Sequence, residues 1–330
     1  MKAIVYTKYG SADVVQLKEI EKPAPKDDEV LVKVLAASAN AYDWHFLSAD
    51  IFLIRFGGGF FKPKNTRLGA DLAGRVEAIG KNVQQFKPGD EVYGDIGAWG
   101  NGAFAEYVSV PEKAFALKPS NLSFEQAAAV PMAGLTALQG LRDAGQIRAG
   151  QKVLINGASG GVGTFAVQIA KYYGADVTAV CSTEKMELVR SLGADHVIDY
   201  TREDFTKKGL KYDLILAVNG YHPISAYKRA LAPKGIYMMA GGSVTQIFQG
   251  MLLGKQMSEN NGRKLGAVTA KINQKDLGIL KELLEAGKIT PVIDRCYPLS
   301  EVREALQYLG EGHARGKIVI TMEEQAKQDL

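Results

Sequence analysis

The sequence predicts an α/β protein that combines a β-rich part with a doubly wound parallel-sheet domain. Three observations predict it. The chain has 330 residues, more than one hydrophobic core usually serves. Its first third is a series of short apolar stretches separated by turn signals, and from about Leu122 the pattern changes to helices alternating with strands, the arrangement that builds βαβ crossovers. Within that second part, an apolar strand runs into a glycine-rich turn and straight on into an amphipathic helix.

In the first third, Ile4–Tyr6, Val30–Val34 and Val76–Ile79 read as strands, set off by turns at Lys22–Pro25 and Lys87–Asp90. Pro88-Gly89 turns the chain just ahead of another apolar strand. The aromatic run Ala103–Val110 is a further strand. The alternating part then reads as a helix over Phe124–Asp143, strand Lys152–Asn156, helix Val162–Tyr173, strand Asp176–Val180 and helix Glu184–Leu192. Leu214–Val218 and Ile236–Ala240 are continuous apolar runs, as expected of strands buried on both faces. Two helical patterns, Leu277–Ala286 and Glu301–Tyr308, precede a closing strand Lys317–Thr321, and the charged residues after Met322 read as a frayed end.

Composition narrows the function classes. Hydrophobic residues make up 46% and charged residues 23%, as in an ordinary globular protein. The 40 basic and 36 acidic residues are mixed along the chain without a basic run, so neither nucleic acid nor a membrane surface is an expected partner. The opening MKAIVYTKYG has no apolar run behind a basic leader. No apolar run approaches the ~20 residues that cross a bilayer. Cys181 and Cys296 give neither a disulfide framework nor metal-ligand spacing. The expected setting is a reducing compartment, most simply the cytoplasm.

The most informative segment is Val153–Gly163, in which the turn Gly157-Ala158-Ser159-Gly160-Gly161-Val162-Gly163 follows the strand. The next helix repeats apolar residues at Val162, Phe165, Ala166, Ile169 and Ala170, one face at helical spacing. Glycines let a pyrophosphate approach the unpaired N–H groups at the helix start, where the dipole adds positive charge. A strand before and a helix after make this a dinucleotide-binding fingerprint and not merely a tight turn. The following strand bears on which dinucleotide binds. An NAD site carries an acidic residue there for the ribose hydroxyls; this chain has Val180-Cys181-Ser182-Thr183-Glu184-Lys185. Ser182 and Thr183 offer donors and Lys185 a charge for a 2′-phosphate, which favours NADPH. The same two hydroxyls also suit helix caps, and the two roles are compatible. Asp176 lies at the wrong end of its strand to meet the ribose.

These ordered segments resemble the medium-chain dehydrogenase/reductase superfamily, specifically its zinc-free quinone oxidoreductase-like branch. The resemblance is carried by Gly69-Ala70-Asp71-Leu72-Ala73-Gly74, Val130-Pro131-Met132-Ala133-Gly134-Leu135-Thr136-Ala137, Gly150–Leu154 with the Gly157–Gly163 turn, and Gly312-His313-Ala314-Arg315-Gly316-Lys317. It implies a GroES-like catalytic domain from residues 1–123 with 273–330, a Rossmann domain over 124–272 inserted between them, and a cleft at their junction. It also implies a homodimer through the edge of the Rossmann sheet, with Lys264–Ala270 as the edge strand. Zinc members of the superfamily need an early cysteine and a His-Glu pair in the glycine signature. Here those places read Ser38-Ala39-Asn40-Ala41-Tyr42-Asp43 and Ala70-Asp71, and no cysteine precedes Cys181. No metal site is expected, since a catalytic zinc wants three protein ligands.

Without a Lewis acid the substrate must itself stabilise charge. The expected reaction is hydride transfer from NADPH to a quinone or an α,β-unsaturated carbonyl, with a small hydrophobic molecule as substrate. The resemblance places Asn40, Tyr42 and Asp43 beside the nicotinamide. Asn40 would donate a side-chain N–H, Tyr42 its hydroxyl or a proton, and Asp43 would orient its neighbours. Tyr42 equally fits a partly buried aromatic with a satisfied hydroxyl. Further cofactor contacts implied by the resemblance are Thr136, Tyr200, Asn219, Gly241, Gly242 and Ser243, with Arg315 and Lys317 closing over the cofactor. The apolar segment Phe46–Asn65 reads as a loop whose phenylalanines line a pocket, with Gly57–Gly59 as the hinge of a lid. A second apolar patch, Ile247-Phe248 with Met251–Leu253 and Met257, would face it or join the dimer contact. The other readings are an enoyl-thioester reductase and a cofactor-binding structural or regulatory protein with little turnover.

Overall fold

The computed structural model describes residues 1–219, 222–241 and 262–322. Two compact units form: Met1–Met132 with Ile272–Ala286 and Pro291–Leu330, and Ala133–Lys271 with Gly287–Thr290. The first unit therefore extends beyond residue 123, because the short helix that follows packs on its strands.

In the first unit β1 (Lys2–Val5) and β2 (Gln16–Glu19) form an antiparallel ribbon. The main sheet has seven strands: β3 (Glu29–Ala39), β4 (Asp71–Ile79), β5 (Glu91–Asp95), β6 (Tyr107–Pro111), β7 (Phe115–Leu117), β14 (Ile293–Pro298) and β15 (Lys317–Thr321), in the order β14-β15-β3-β4-β5-β7, with β6 also pairing β3. Its centre is β3, where Val30, Val32 and Val34 are buried in one cluster with Leu72, Phe104 and Ile318. That alternation is the period of a strand with one face on a core. The expected Lys87–Asp90 turn is present: Asp90 N donates to Lys87 O at 3.1 Å, and Gly89 sits at φ 94°, where a side chain would be strained. The strand expected at Ala103–Val110 starts later, at Tyr107; Ala105 makes only an isolated bridge to Ala3.

Three helices belong to this unit's N-terminal portion: α1 (Ala41–Ser48), α2 (Phe52–Gly58) and α3 (Phe124–Ala128). The first two correct the expected loop at Phe46–Asn65. The helix expected over Phe124–Asp143 is broken. Ser123 caps α3, accepting from Gln126 N at 3.2 Å, and a new helix, α4 (Pro131–Gln139), opens at Pro131. Proline has no N–H to give inside a helix and is suited to its first position.

The second unit contains β8 (Lys152–Asn156), β9 (Asp176–Cys181), β10 (His196–Asp199), β11 (Tyr212–Ala217), β12 (Leu231–Met239) and β13 (Lys264–Ala267), all parallel, in the order β10-β9-β8-β11-β12-β13. Helices α5 (Gly161–Tyr172), α6 (Met186–Ser191) and α7 (Ile224–Ala230) connect them. The chain builds outward from β8 through β9 and β10, then returns to build β11, β12 and β13 on the other side. The strand order reverses between β8 and β11, the place where doubly wound sheets bind ligands at their carboxyl ends. The expected edge strand is observed as β13, shorter than Lys264–Ala270. Two further helices, α8 (Gln274–Glu285) and α9 (Val302–Gly310), complete the first unit. Asn273 caps α8, accepting from Asp276 N at 2.8 Å, so this helix starts three residues ahead of the expected Leu277.

Candidate active site

In the second unit the glycine turn joins the end of β8 to α5. Gly157 has φ 81°, and a Cβ there would lie 2.7 Å from Asn219 O; a Cβ on Gly163 would lie 2.1 Å from Gly157 O. These two glycines permit the tight turn and the close seating of helix on strand. Gly160 is different. A Cβ on it would meet nothing closer than Gly157 O at 3.7 Å. No side chain caps the helix from Gly160, and its first turn holds no acidic residue. The N–H groups of Gly161, Val162 and Gly163 thus begin the helix without a side-chain acceptor. The donor set and the open approach at Gly160 fit a pyrophosphate.

Four other expected cofactor residues follow the carboxyl ends of the parallel strands. Asn219 follows β11, is exposed, and has its backbone against Gly157. Gly241 follows β12, where a Cβ would be 2.2 Å from Val218 O. Ser182 follows β9 and is half-buried. Tyr200 follows β10, is 61% exposed, and its N–H donates to Cys181 O at 3.1 Å. Thr136 lies on α4, half-buried. Gly242, Ser243 and the Ile247–Met257 patch lie outside the described residues.

One neighbour was not anticipated. Asp199 ends β10 directly opposite Cys181. Its carboxylate accepts from the Thr183 hydroxyl, from Thr201 N at 2.9 Å and from Thr201 Oγ1 at 2.7 Å. The Thr183 hydroxyl bond first, and then those from Thr201, hold its pKa below the usual carboxylate range. The single hydroxyl proton of Thr183 therefore goes to Asp199, which leaves this side chain an acceptor toward any phosphate. Ser182 and Lys185 remain as the donors of that stretch. Only the parallel pairing of β9 with β10 brings Asp199 here, so a reading along the β9 stretch alone misses it.

In the first unit the segment Asn40–Asp43 sits where β3 ends and α1 begins. Asp43 is fully buried and accepts from Asn40 N and Gly69 N, each at 2.9 Å. It ties the helix start to the glycine signature. Asn40 lies in a buried polar cluster with Ser38, Asp71 and Lys317. Its amide nitrogen donates to Asp71 Oδ2 at 3.0 Å and to Ser38 O at 3.3 Å, and its carbonyl oxygen accepts from Lys317 Nζ. Both amide protons are thus turned inward. Asp71 also accepts from Ser38 Oγ at 3.1 Å, from Lys317 at 3.3 Å and from Met132 N at 2.9 Å.

Lys317 was expected to close over a cofactor. It does not point outward. It is 3% exposed, on β15 beside the end of β3, with its ammonium on Asn40 and Asp71. Burying an ammonium without such partners would be costly. Arg315, by contrast, is exposed, and its backbone N–H donates to Asp294.

Asp95, at the end of β5, is a second residue the sequence did not single out. It is 4% exposed and accepts from Gly97 N at 2.8 Å. Burial, and then the negative charge of Asp71, push its pKa up to about 7. Burial likewise pushes Asp43 up to about 7, against the two backbone N–H bonds that favour its charged form. Tyr42 reaches toward Gly97, its hydroxyl 3.4 Å from Gly97 O, and its ring lies 4.4 Å from that of Phe46. Burial pushes the Tyr42 hydroxyl up to about 12, so it stays a proton donor across the working pH range. Among the described residues no three His, Cys, Asp or Glu side chains are grouped to hold a metal ion.

A β-rich unit with this glycine signature, together with a dinucleotide-type parallel sheet, defines an oxidoreductase that uses a nicotinamide cofactor. Residues 26–120 match the alcohol dehydrogenase GroES-like domain, and residues 192–320 match the zinc-binding dehydrogenase domain. A 2-methylene-furan-3-one reductase of Solanum lycopersicum is 40% identical over 97% of this chain and 79% of its own length. An NADPH-dependent alkenal/one oxidoreductase, chloroplastic, of Arabidopsis thaliana is 37% identical over the same shares. The structure of the quinone oxidoreductase from Coxiella burnetii superposes with a TM-score of 0.87 at 30% identity, covering 98% of this chain and 99% of that one. The chain belongs to the medium-chain dehydrogenase/reductase superfamily, in its zinc-free branch. Among the described residues no helix is long and apolar enough to cross a membrane.

Proposed function

We propose that this protein is an NADPH-dependent, zinc-independent reductase of quinones or α,β-unsaturated carbonyl compounds. The observation that carries this is the pairing of a phosphate-ready helix start at Gly160–Gly163 with Ser182 and Lys185 just after β9, where the neighbouring carboxylate of Asp199 is already engaged by Thr183 and Thr201. The relatives named as an alkenal/one oxidoreductase and a quinone oxidoreductase support the same substrate class. Bound NADPH supplies the hydride. The chain's own part is to hold the pyrophosphate on Gly157, Ser159, Gly160, Gly161, Val162 and Gly163, and the ribose at Asn219. The 2′-phosphate falls to Ser182 and Lys185, the adenine to Tyr200, and the nicotinamide end to Gly241 and Thr136. In the first unit, Tyr42 donates a proton or hydrogen bond to the oxygen on which charge develops. Asn40 and Asp43 position the turn that carries it.

The missing cysteine and His-Glu pair support a reaction without zinc. The position of β13 at the end of the strand order among the described residues supports a homodimer. Free cysteines at 181 and 296 support a reducing compartment, for which we propose the cytoplasm.

The test is oxidation of NADPH and NADH by the purified protein with 1,4-benzoquinone, 9,10-phenanthrenequinone and 1-octen-3-one. Turnover much faster with NADPH and unchanged by chelator is the expected result. Tight NADPH binding with no acceptor reduced would replace this reading with a narrow biosynthetic substrate or a non-catalytic role.

A further inference from the structure

The segment Ile51–Ala70 contains Arg55, Lys62, Lys64 and Arg67 and no acidic residue. Its four cations equal the net charge of the whole chain, +4; without them basic and acidic residues are equal in number. An even balance over the chain conceals a local excess. The same segment exposes four phenylalanines: Phe52 at 55%, Phe56 at 65%, Phe60 at 47% and Phe61 at 89%. Their rings contact one another edge-on, with centroids 5.0 to 6.1 Å apart, and so form one patch.

The patch is fixed to the unit beneath it. Tyr9 donates to Gly59 O at 2.7 Å and Arg55 lies over the Tyr9 ring at 5.1 Å, while within the segment Lys64 N donates to Gly58 O at 2.7 Å. Lys62 and Lys64 are exposed, and among the described residues none of the four cations has an ion pair. The acidic residues that bracket the segment are accounted for: Asp50 is held by His45 at 2.8 Å, and Asp71 is buried.

Which occupant fits rings and cations together? A neutral enone or quinone needs rings but leaves the lysines without a counter-charge. A second copy of this chain meeting the patch about a two-fold axis would set like charge against like. An anionic bilayer surface matches both halves, because aromatic rings settle at headgroup level while lysines reach the lipid phosphates and carboxylates. We propose that Phe52, Phe56, Phe60 and Phe61, with Lys62 and Lys64, dock this protein peripherally on an anionic lipid bilayer.

The experiment is co-sedimentation of the full chain with vesicles of phosphatidylcholine alone and of two parts phosphatidylcholine to one part phosphatidylserine. Binding to the mixed vesicles only, weakening as salt is raised, is the expected result. Each lysine near such a surface is worth about five-fold in binding, so K62E/K64E should lower it by at least about twenty-five-fold. Phe56→Ser with Phe61→Ser should lower it by about ten-fold. Both variants should keep the wild-type melting temperature, since these side chains are exposed. Failure of the wild type to bind the mixed vesicles, or equal binding by the variants, overturns the proposal. So does either of two other results: a KM for long-chain enones that rises in the phenylalanine variant while vesicle binding is unchanged, or an oligomeric state that changes in that variant. Vesicle binding does not depend on turnover, so this test stands apart from the reductase assay.

Discussion

Lys317 Nζ donates to the side-chain carbonyl of Asn40, a contact between residues 277 apart in sequence, and this bond fixes which way the Asn40 amide faces. An ammonium is only a donor and the Asp71 oxygen beside it is an acceptor here, so the amide has one satisfactory orientation. Turned over, it would set NH₂ against NH₃⁺. The inward direction of both Asn40 protons follows, and with it a positioning role for Asn40 at the start of α1.

Removing the ammonium should be expensive. Lys317→Met leaves Asp71 buried without its cation, and breaking a buried ion pair from one side typically costs about 3–5 kcal/mol. Urea unfolding should show a loss of that order. The double variant Lys317→Met with Asp71→Asn removes the unpaired charge as well, and should recover part of the loss. Equal destabilisation by single and double variants would mean that packing, not charge, gives Lys317 its place.

Two other buried carboxyls set a pH dependence. Asp43 and Asp95 have folded pKa values raised to about 7, against about 3.9 for an unfolded aspartate. Between these values the folded state binds more protons than the unfolded one, so their contribution to stability falls as pH rises through about 7. It is fully present below about pH 4. Asp95→Asn keeps an oxygen for Gly97 N and abolishes the titration. Its stability relative to wild type should rise from pH 5 to pH 8, with a limiting slope of about 1.4 kcal/mol per pH unit. A difference between the two proteins that does not change with pH would show that Asp95 stays ionised throughout.

Tyr42→Phe separates chemistry from packing. The ring would still meet Phe46 at 4.4 Å, and the hydroxyl's contact with Gly97 O is long, at 3.4 Å, so the melting temperature should barely change. If the hydroxyl supplies the proton, kcat for enone reduction should fall by about 10²-fold. Because burial pushes that hydroxyl up to about 12, its loss should leave any limb of the pH–rate profile near neutrality in place. Unchanged kcat with intact folding would make Tyr42 a packing residue.

The residues that were legible in the sequence are those whose role is local. The glycine turn stands between a strand and a helix that each announce themselves. The break at Pro131 was missed, because the apolar pattern of Phe124–Asp143 runs straight through the proline and masks its stop signal. The buried cluster was not legible, because β15 pairs with β3 only in the folded sheet, with Ile318 opposite Ala39. Lys317 reads from the sequence as the first residue of a closing strand, with nothing nearby to say that its ammonium is buried. Asp199 meets Thr183 for the same reason, through the pairing of β10 with β9. The phenylalanines of Ile51–Ala70 were legible as apolar but not as exposed, since hydrophobicity alone does not say on which side of the surface a ring lies.

Two alanine substitutions in the glycine turn should part company. Gly163→Ala puts a methyl 2.1 Å from Gly157 O and 2.7 Å from the Ala158 backbone, too close for either to yield without moving the helix off the strand. It should destabilise the protein by about 1–3 kcal/mol, as overpacking commonly does, and weaken cofactor binding along with it. Gly160→Ala meets no atom within 3.4 Å, its nearest being Gly157 O at 3.7 Å, and its φ of −85° suits any residue. It should fold with a wild-type melting temperature while its methyl occupies the approach to the helix N–H groups. Fluorescence titration with NADPH should then show a Kd at least about ten-fold weaker, the equivalent of about 1.4 kcal/mol. If Gly160→Ala binds NADPH as wild type does, the phosphates lie elsewhere, and the assignment of this helix start to the cofactor fails even though the fold is unchanged.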